Sequence, residues 1–287
     1  YKVTGGGGSF RKAEGIIIRV LERGMTRLVG LFEQVKGFGF VTADDKKVAK
    51  DIFISRGNTM GAVTGHKVVV EITDYGEDRR NPEGKIIEIL GHINDPGVDI
   101  LSVIRRYELP VEFPDEVYQE IENVELEINE KEMMGREDLR NVLTITIDGE
   151  DSKDLDDAVS MKKLDNGNYE LGVHIADVSH YVQEHTALDK EAYERGTSVY
   201  LVDRVIPMLP HKLSNGICSL NPHEDRLALS CIMEIDHRGY VVNHRVVNSV
   251  IYSDYRMTYT AVREILEDKT QELLEKYAEI VPMLEEM

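Results

Sequence analysis

The sequence has little of several residues that mark special classes of protein. Its 287 residues include two cysteines, no tryptophan and eight prolines. Because Cys218 and Cys231 stand in apolar surroundings, we expect two buried free thiols, as in a reducing cytoplasm, rather than a disulfide scaffold. No apolar run approaches the roughly 20 residues of a membrane span, and the first residues do not resemble a signal peptide. These absences exclude disulfide-rich and membrane-spanning classes and favour a cytoplasmic protein of about two domains.

Positive charge is scarce, but it is unevenly distributed. The formal net charge is −19, which argues against nucleic-acid binding by the chain as a whole. Residues 1–93 nevertheless hold 15 basic and 12 acidic side chains, whereas residues 94–287 hold 19 basic and 41 acidic ones. We interpret most of the acidic excess as solvated, helix-rich surface.

An internal repeat organises the first third of the chain. The segment EGIIIRVL at residues 14–21 matches EGKIIEIL at residues 83–90, at an offset of 69. The second copy contains five short apolar-rich segments separated by Gly, Asp and Asn, which predicts a small Greek-key barrel of the OB type. The predicted strands are Arg27–Val35, Gly37–Thr42, Asp51–Ser55, Lys67–Thr73 and Lys85–Leu90. The first copy has only its last two strands, so we expect the sequence to begin inside a domain, with the Gly5–Gly8 run in a hairpin loop.

Aromatic side chains mark one strand of this barrel as a candidate surface for single-stranded nucleic acid. Phe38 and Phe40 are two residues apart and therefore point to the same face of a strand, where their rings can stack on bases. We expect the neighbouring glycines, Gly37 and Gly39, to keep that face free of bulk.

Two further residues extend the predicted surface. Lys36 can reach a phosphate, and Phe53 can supply a third ring from a neighbouring strand. The alternative is that these phenylalanines, Phe53 above all, are ordinary core residues. Residues 94–140 have helical spacing at Asp99–Tyr107 and Asp115–Glu122, interrupted by prolines, which predicts a helical connector.

A dense group of acids follows the alternating strand LTITI. Six acids occur within ten residues: Asp148, Glu150, Asp151, Asp154, Asp156 and Asp157. In a folded protein such mutual repulsion is tolerated when cations neutralise it or when water reaches it. Carboxylates at this density suit Mg²⁺, with Mn²⁺ as an alternative. From spacing alone, a solvated acidic loop remains an open alternative.

Several blocks in order give the sequence a family resemblance. Asp148-x5-Asp154-x-Asp156-Asp157 resembles the active-site motif of the ribonuclease II / ribonuclease R family, in its catalytic RNB domain. Further blocks that agree are GVHIADVS at 172–179, RGTSVY at 195–200, VIPMLP at 205–210, CSLNP at 218–222 and Asp225-Arg226. The KGFGFV stretch resembles the first ribonucleoprotein motif of cold-shock domains, although Ser55 stands where that family usually has His. The match looks closest to the bacterial ribonuclease R branch.

The resemblance implies a multidomain fold, with all-β OB-type (cold-shock-like) barrels followed by a truncated α+β catalytic domain. We therefore predict the end of a first cold-shock-like domain at 1–24, a second at 25–93, the helical connector at 94–140 and the first part of the RNB domain at 141–287. The family's active site also contains an Arg and a Glu from the second half of the catalytic domain, and we assign these roles to no residue here. We expect residues 1–287 on their own to be a weak or inactive nuclease.

The resemblance also implies a mechanism. The four aspartates Asp148, Asp154, Asp156 and Asp157 would be the catalytic and metal-binding residues of a 3′-to-5′ exoribonuclease that releases nucleoside 5′-monophosphates. Tyr200 matches a tyrosine that packs on the terminal nucleotide, whereas we expect His174 to be structural. Two alternatives remain: an RNA-binding module that does not cut, and a Mg²⁺-dependent phosphatase-like enzyme, which would leave the barrels without a purpose.

Overall fold

The computed structural model describes residues 2–5, 14–16, 18–76 and 80–287. The chain divides into two compact units, residues 1–109 and 110–287. Among the described residues, no helix is long and apolar enough to cross a membrane.

The first unit is built around a closed five-stranded barrel. A separate antiparallel pair precedes it, formed by β1 (Lys2–Gly5) and β2 (Glu14–Ile16). Most of the Gly5–Gly8 run, predicted to form a hairpin loop, lies outside the described residues. The barrel strands are β3 (Arg27–Val35), β4 (Phe38–Ala43), β5 (Ile52–Ser55), β6 (His66–Asp74) and β7 (Glu83–His92). Their order around the barrel, β3-β4-β5-β7-β6, confirms the predicted OB-type fold.

The alternation of side chains between the two faces of a strand explains how these segments enclose a core. In β5, Ile52 and Ile54 are fully buried, while Phe53 between them is half-buried on the outer side. In β6, Val68 and Val70 lie in the core around the buried ring of Phe32, and Val69 between them is buried outside this cluster. Helix α1 (Val98–Arg106) follows β7 and packs against the barrel strands.

The second unit is a mixed sheet with helices. Its first two helices are α2 (Asp115–Glu122) and α3 (Glu130–Met133). The strands of its main sheet are β8 (Glu137–Asp138), β9 (Thr144–Asp148), β10 (Asp157–Lys163), β11 (Tyr169–Ala176), β14 (Asp225–Ile235), β15 (Val241–Tyr252) and β16 (Tyr255–Thr258). Between them lie α4 (Val178–Tyr181), α5 (Ala187–Arg195), the short pair β12 (Val199–Tyr200) and β13 (Val205–Ile206), and a π-helical turn, Lys212–Ile217. After the sheet come α6 (Tyr259–Arg263), a second π-helical turn (Glu264–Asp268), α7 (Gln271–Lys276) and α8 (Val281–Glu286).

The sheet has the strand order β16-β9-β10-β11-β14-β15-β8. Strand β16 runs parallel to β9, whereas β9, β10, β11, β14 and β15 are antiparallel to their neighbours in that series. One apolar cluster joins Ile145 and Met257 of the sheet to Ile265, Ile280 and Leu284 in the C-terminal helical segments. Together with the barrel, this unit confirms the predicted multidomain architecture of OB-type and α+β parts.

A second apolar cluster of the sheet brings distant segments together. Leu155, which stands among the six acids of residues 148–157, packs with Leu220 and with Ala158, Ala228 and Ile251 of the strands. Burying Leu155, which is 1% exposed, removes most of a leucine side chain from water, a stabilisation of about 2 kcal/mol. The acidic segment is therefore attached to the core at this point.

The stretch predicted as a connector is helical at α1, α2 and α3. Helix α1 belongs to the first unit and the other two to the second. The predicted domain boundaries themselves stay predictions.

Both cysteines are free, as expected, and burial raises the pKa of the Cys218 thiol to about 12, whereas Cys231 is half-buried.

Candidate active site and nucleic-acid interface

The four predicted aspartates lie around one edge of the sheet in the second unit. Asp148 is the last residue of β9 and Asp157 is the first residue of β10, its antiparallel neighbour. Residues 149–156, called the acidic loop here, connect these two strand ends and carry Asp154 and Asp156. The short connection between adjacent strands explains why all four carboxylates lie in one region of the protein.

The second half of the acidic loop is fixed from three sides. The Leu155 N–H donates to Ser219 Oγ at 3.0 Å, and the Leu220 N–H donates to the Leu155 carbonyl at 2.8 Å. The carbonyl of Asp156 accepts from the Ala176 N–H at 3.0 Å. Ser219 is held in turn by the buried Arg226, whose Nε donates to the Ser219 carbonyl at 2.8 Å.

The first half of the loop is held by an arginine from β16. Arg256 Nη2 donates to the carbonyls of Glu150 at 3.0 Å and Ser152 at 2.6 Å. Arg256 pairs in register with Thr146, two residues before Asp148 on the parallel neighbour. Its guanidinium therefore lies on the side of the sheet edge where the loop begins.

The carboxylates raise one another's proton affinity. The pKa of Asp148 is raised above 3.8, first by burial and then by Asp157 and Asp154, and the Arg256 guanidinium opposes this. The pKa of Asp156 is raised first by loss of solvent and then by the other three aspartates. The Asp156 side chain still reaches solvent, so this repulsion is partly screened. Burial is the larger cause of both shifts in pKa, and repulsion from the neighbouring aspartates adds to it.

Tyr200 meets one of these carboxylates. Its hydroxyl donates to Asp154 Oδ2 at 2.8 Å, and this bond is the main reason why the pKa of Tyr200 is raised. The residue lies on β12 and is 66% exposed, so that most of its ring surface faces solvent beside the acidic loop. The structure thus brings Tyr200 to the predicted aspartates.

The donor chemistry of this site suits a hard divalent cation. Asp148 Oδ2 is buried and has no hydrogen-bond partner, which is costly unless a ligand compensates it. Carboxylate oxygens are the ligands that Mg²⁺ and Mn²⁺ prefer. Within the ranges that the structure describes, however, no three His, Cys, Asp or Glu side chains are already arranged to hold one metal ion. The residues fit a cation by chemistry, and binding would draw their carboxylates together.

His174 has a different environment, as expected for a structural residue. It is fully buried, its Nε2 lies 3.0 Å from Ser160 Oγ and its Nδ1 lies 2.6 Å from Ser230 Oγ. Burial lowers its pKa to about 4, so the imidazole is neutral at physiological pH.

The three predicted phenylalanines form one cluster on the barrel. The ring centroids of Phe38, Phe40 and Phe53 lie 5.5 to 5.9 Å from one another, and all three side chains are half-buried. Phe40 pairs directly with Phe53 across β4 and β5. Their positions outside the barrel core leave ring surface accessible, as base stacking requires. Lys36 is exposed in the turn that leads into Phe38.

The expectation for one glycine was wrong. Gly39 does not clear the aromatic face but lies on the inner side of β4, where an added Cβ would stand 2.3 Å from the Phe32 ring. It is required because the buried Phe32 ring packs directly on this backbone. Gly37 lies in the turn with φ of +85°, a conformation that favours glycine.

Sequence reasoning did not identify three residues that support the acidic loop. Ser219 and Arg226 fall in the blocks that carried the family resemblance, but nothing in their spacing indicated contact with the loop. No sequence pattern indicated the contact of Arg256 with the loop, since this residue lies more than 100 residues from its hydrogen-bond acceptors.

Comparison with known proteins identifies the two units. An RNB domain matches residues 136–287, and a cold shock domain matches residues 40–114. The chain is 53% identical over 256 residues to ribonuclease R of Thermotoga maritima, covering 88% of this chain and 36% of that protein. It is 43% identical over 276 residues to ribonuclease R of Escherichia coli, covering 96% and 34%. The chain thus spans about a third of the length of these relatives.

Solved structures of ribonuclease R have a fold similar to that of this chain. Mycoplasma genitalium RNase R in complex with ribose methylated single-stranded RNA has a TM-score of 0.83 at 26% identity, covering 98% of this chain and 46% of that one. The same protein in complex with double-stranded RNA has a TM-score of 0.80 at 28% identity, covering 89% and 45%. Yeast Ssd1, a pseudonuclease, shares the fold, with a TM-score of 0.69 at 18% identity over 88% of this chain and 32% of its own. The chain therefore belongs to the RNB family of ribonuclease R-type proteins, with a cold shock domain ahead of its RNB domain.

Proposed function

We propose that the protein carrying this chain is a cytoplasmic exoribonuclease, which hydrolyses RNA from the 3′ end and releases nucleoside 5′-monophosphates. The observation that carries this proposal is the group of four aspartates at one sheet edge, with Tyr200 bonded to Asp154. Membership in the RNB family and the RNA named in the titles of two structural neighbours support it.

The residues divide the work in a simple way. Asp148, Asp154, Asp156 and Asp157 would hold Mg²⁺ or Mn²⁺, with Asp148 and Asp157 as direct ligands and Asp156 as the most rate-critical acid. A pair of bound divalent ions supplies Lewis-acid stabilisation to the phosphodiester under attack. The exposed ring of Tyr200 would pack on the terminal nucleotide beside these acids.

The barrel would bind RNA. The cluster of Phe38, Phe40 and Phe53 offers stacking surfaces worth about 1–3 kcal/mol per base. Lys36 in the adjacent turn would contact phosphate. Such contacts do not depend on base sequence, which suits an enzyme that degrades one nucleotide after another.

The main alternative is an RNA-binding protein that does not cut. The fold does not exclude it, because the pseudonuclease Ssd1 shares the architecture. The intact set of four aspartates favours the nuclease, since a binding module has no use for carboxylates that raise one another's pKa.

The decisive experiment uses the full-length natural protein and a 5′-labelled oligoribonucleotide with Mg²⁺. We expect a ladder of one-nucleotide steps from the 3′ end, lost on chelation of the metal. Asp156→Asn should lower the rate by about 10³-fold or more while RNA binding persists, because several kcal/mol of transition-state stabilisation depend on the metal site.

A matched control is Asp165→Asn, which removes the same charge from the exposed turn between β10 and β11. It should leave the ladder unchanged. RNA binding without any ladder from the unsubstituted protein would instead support the binding module.

A further inference from the structure

Repulsion among its carboxylates makes it energetically unfavourable to hold the acidic loop against the sheet before a cation binds. Together with the strand ends at Asp148 and Asp157 it concentrates six acids within ten residues. Their repulsion favours conformations in which the loop swings away from the sheet. Its second half resists this because Leu155 is buried and Ser219 holds its backbone.

The first half of the loop depends on Arg256. Its two carbonyl acceptors, in Glu150 and Ser152, span a turn that is closed internally by the Ser152 N–H to the Gly149 carbonyl at 3.2 Å. Both bonds come from one nitrogen, Nη2, whose two N–H groups point in fixed directions in the guanidinium plane.

The strand that carries Arg256 is held in the sheet by its pairing with β9. Strand β16 pairs in parallel register with β9, from Tyr255 opposite Ile145 to Thr258 opposite Asp148. Met257, next to Arg256, is 1% exposed in the apolar cluster on the opposite side of the sheet. Burial of Met257 therefore fixes the direction in which the Arg256 side chain leaves the strand.

We propose that Arg256 is a positioning residue for the metal site: it holds the first turn of the acidic loop against the sheet and so keeps the aspartates near one sheet edge, where a divalent cation can draw their carboxylates together. This inference rests on the proposed function. Arg256 acts through the backbone of Glu150 and Ser152, whose carbonyls accept hydrogen bonds from it. A positioning group of this kind typically changes metal affinity by about 10- to 100-fold.

The sign of the effect separates positioning from simple electrostatics. Arg256 is a cation near a cation site, so by charge alone its removal should strengthen metal binding. If it positions the loop, its removal should weaken metal binding. Arg256→Lys keeps the charge but cannot reproduce the two directed N–H groups, so it should weaken binding as well.

The experiment measures Mn²⁺ affinity by calorimetry on the RNA-free, full-length protein at neutral pH. We expect Arg256→Gln and Arg256→Lys each to weaken Mn²⁺ binding by about tenfold. The melting temperature of each metal-free variant, measured in parallel, shows whether it is folded. Arg238→Gln is the matched control, since this exposed arginine lies in the β14–β15 turn, and it should bind Mn²⁺ like the parent.

The outcomes separate this inference from the function on which it rests. Unchanged or tighter Mn²⁺ binding by folded Arg256→Gln, in a parent that binds Mn²⁺ and cuts RNA, would overturn the positioning role alone. A parent that binds no Mn²⁺ and produces no ladder would overturn both. If Arg256→Gln does not fold, the Lys variant decides: weaker binding supports the positioning role, and unchanged binding overturns it.

Discussion

At the scale of single residues, the hydrogen bond between Tyr200 and Asp154 joins two parts of the candidate site that the sequence keeps 46 residues apart. A carboxylate oxygen engaged by a hydroxyl is less available to a cation. Because the tyrosine is exposed to solvent, the net free energy of this hydrogen bond is modest, about 1 kcal/mol. Cation binding and release of this hydroxyl should therefore be coupled.

This coupling predicts opposite effects of two substitutions. Tyr200→Phe removes the hydroxyl but keeps the ring, so Mn²⁺ affinity should rise by about two- to fivefold while binding of the RNA 3′ end is retained. Tyr200→Leu should also raise Mn²⁺ affinity but weaken 3′-end binding, because the stacking surface is lost. Calorimetry with Mn²⁺ and a titration with a short oligoribonucleotide measure the two effects. Weaker Mn²⁺ binding by the Phe variant would mean that the hydroxyl orients Asp154 for the metal.

At the scale of secondary-structure elements, a buried chain of polar groups crosses the sheet from β10 to β15. Ser249 Oγ donates to the Ala228 carbonyl, and Ser230 Oγ lies 2.6 Å from Ser249 Oγ. If each hydroxyl donates once along this direction, Ser230 accepts from His174 Nδ1–H, and His174 Nε2 accepts from Ser160. This series of hydrogen bonds fixes one neutral tautomer of His174. Protonating the second ring nitrogen would break the bond that it accepts from Ser160.

This arrangement predicts an acid-sensitive sheet. The pKa of His174 is lowered from 6.5 to about 4, so its contribution to stability is present above pH 6.5 and is lost as the pH falls through the folded value. Between pH 6.5 and pH 4 the free energy of unfolding therefore falls by about 3 kcal/mol. Urea unfolding of the parent and of His174→Gln should show that the parent loses this much more stability on acidification. His237→Gln, in an exposed turn, serves as the control, and equal losses in the parent and in His174→Gln would contradict the prediction.

Elements were predictable from the sequence where one strand face is buried and the other is not. The strand expected at Asp51–Ser55 is observed at Ile52–Ser55, because the alternation of buried Ile52 and Ile54 with half-buried Phe53 determines both its type and its register. The acidic loop was predictable because its carboxylates are contiguous in sequence. The contacts that hold it were not, since they join Leu155 to Ser219 and Ser152 to Arg256 across 64 and 104 residues. Tertiary packing closes such distances without leaving a periodic pattern.

At the scale of the whole molecule, opposite charges are segregated along the chain. The first 93 residues are slightly basic and contain the aromatic cluster, while the remainder holds 41 of the 53 acids. A net charge of −19 is therefore compatible with RNA binding, because the acids need only lie away from the RNA and the aspartates at the site require cations. Binding should combine a salt-sensitive phosphate contribution with a salt-insensitive stacking contribution.

Salt titrations of RNA binding can separate these two contributions. For about three to four phosphate contacts to a single strand, the logarithm of affinity should fall with a slope of about −2 to −3 against the logarithm of salt concentration. Lys36→Gln should reduce the magnitude of that slope by up to about 0.7, because one counterion-releasing contact is lost. Phe40→Ala should lower affinity by about 1–3 kcal/mol at every salt concentration without changing the slope. Tyr193→Ala, which removes an aromatic ring that is 84% exposed on α5, should change neither quantity. A flat salt response of the parent would contradict a charged RNA path, and a changed slope in Phe40→Ala would mean that the aromatic cluster acts by positioning phosphate contacts instead of by stacking.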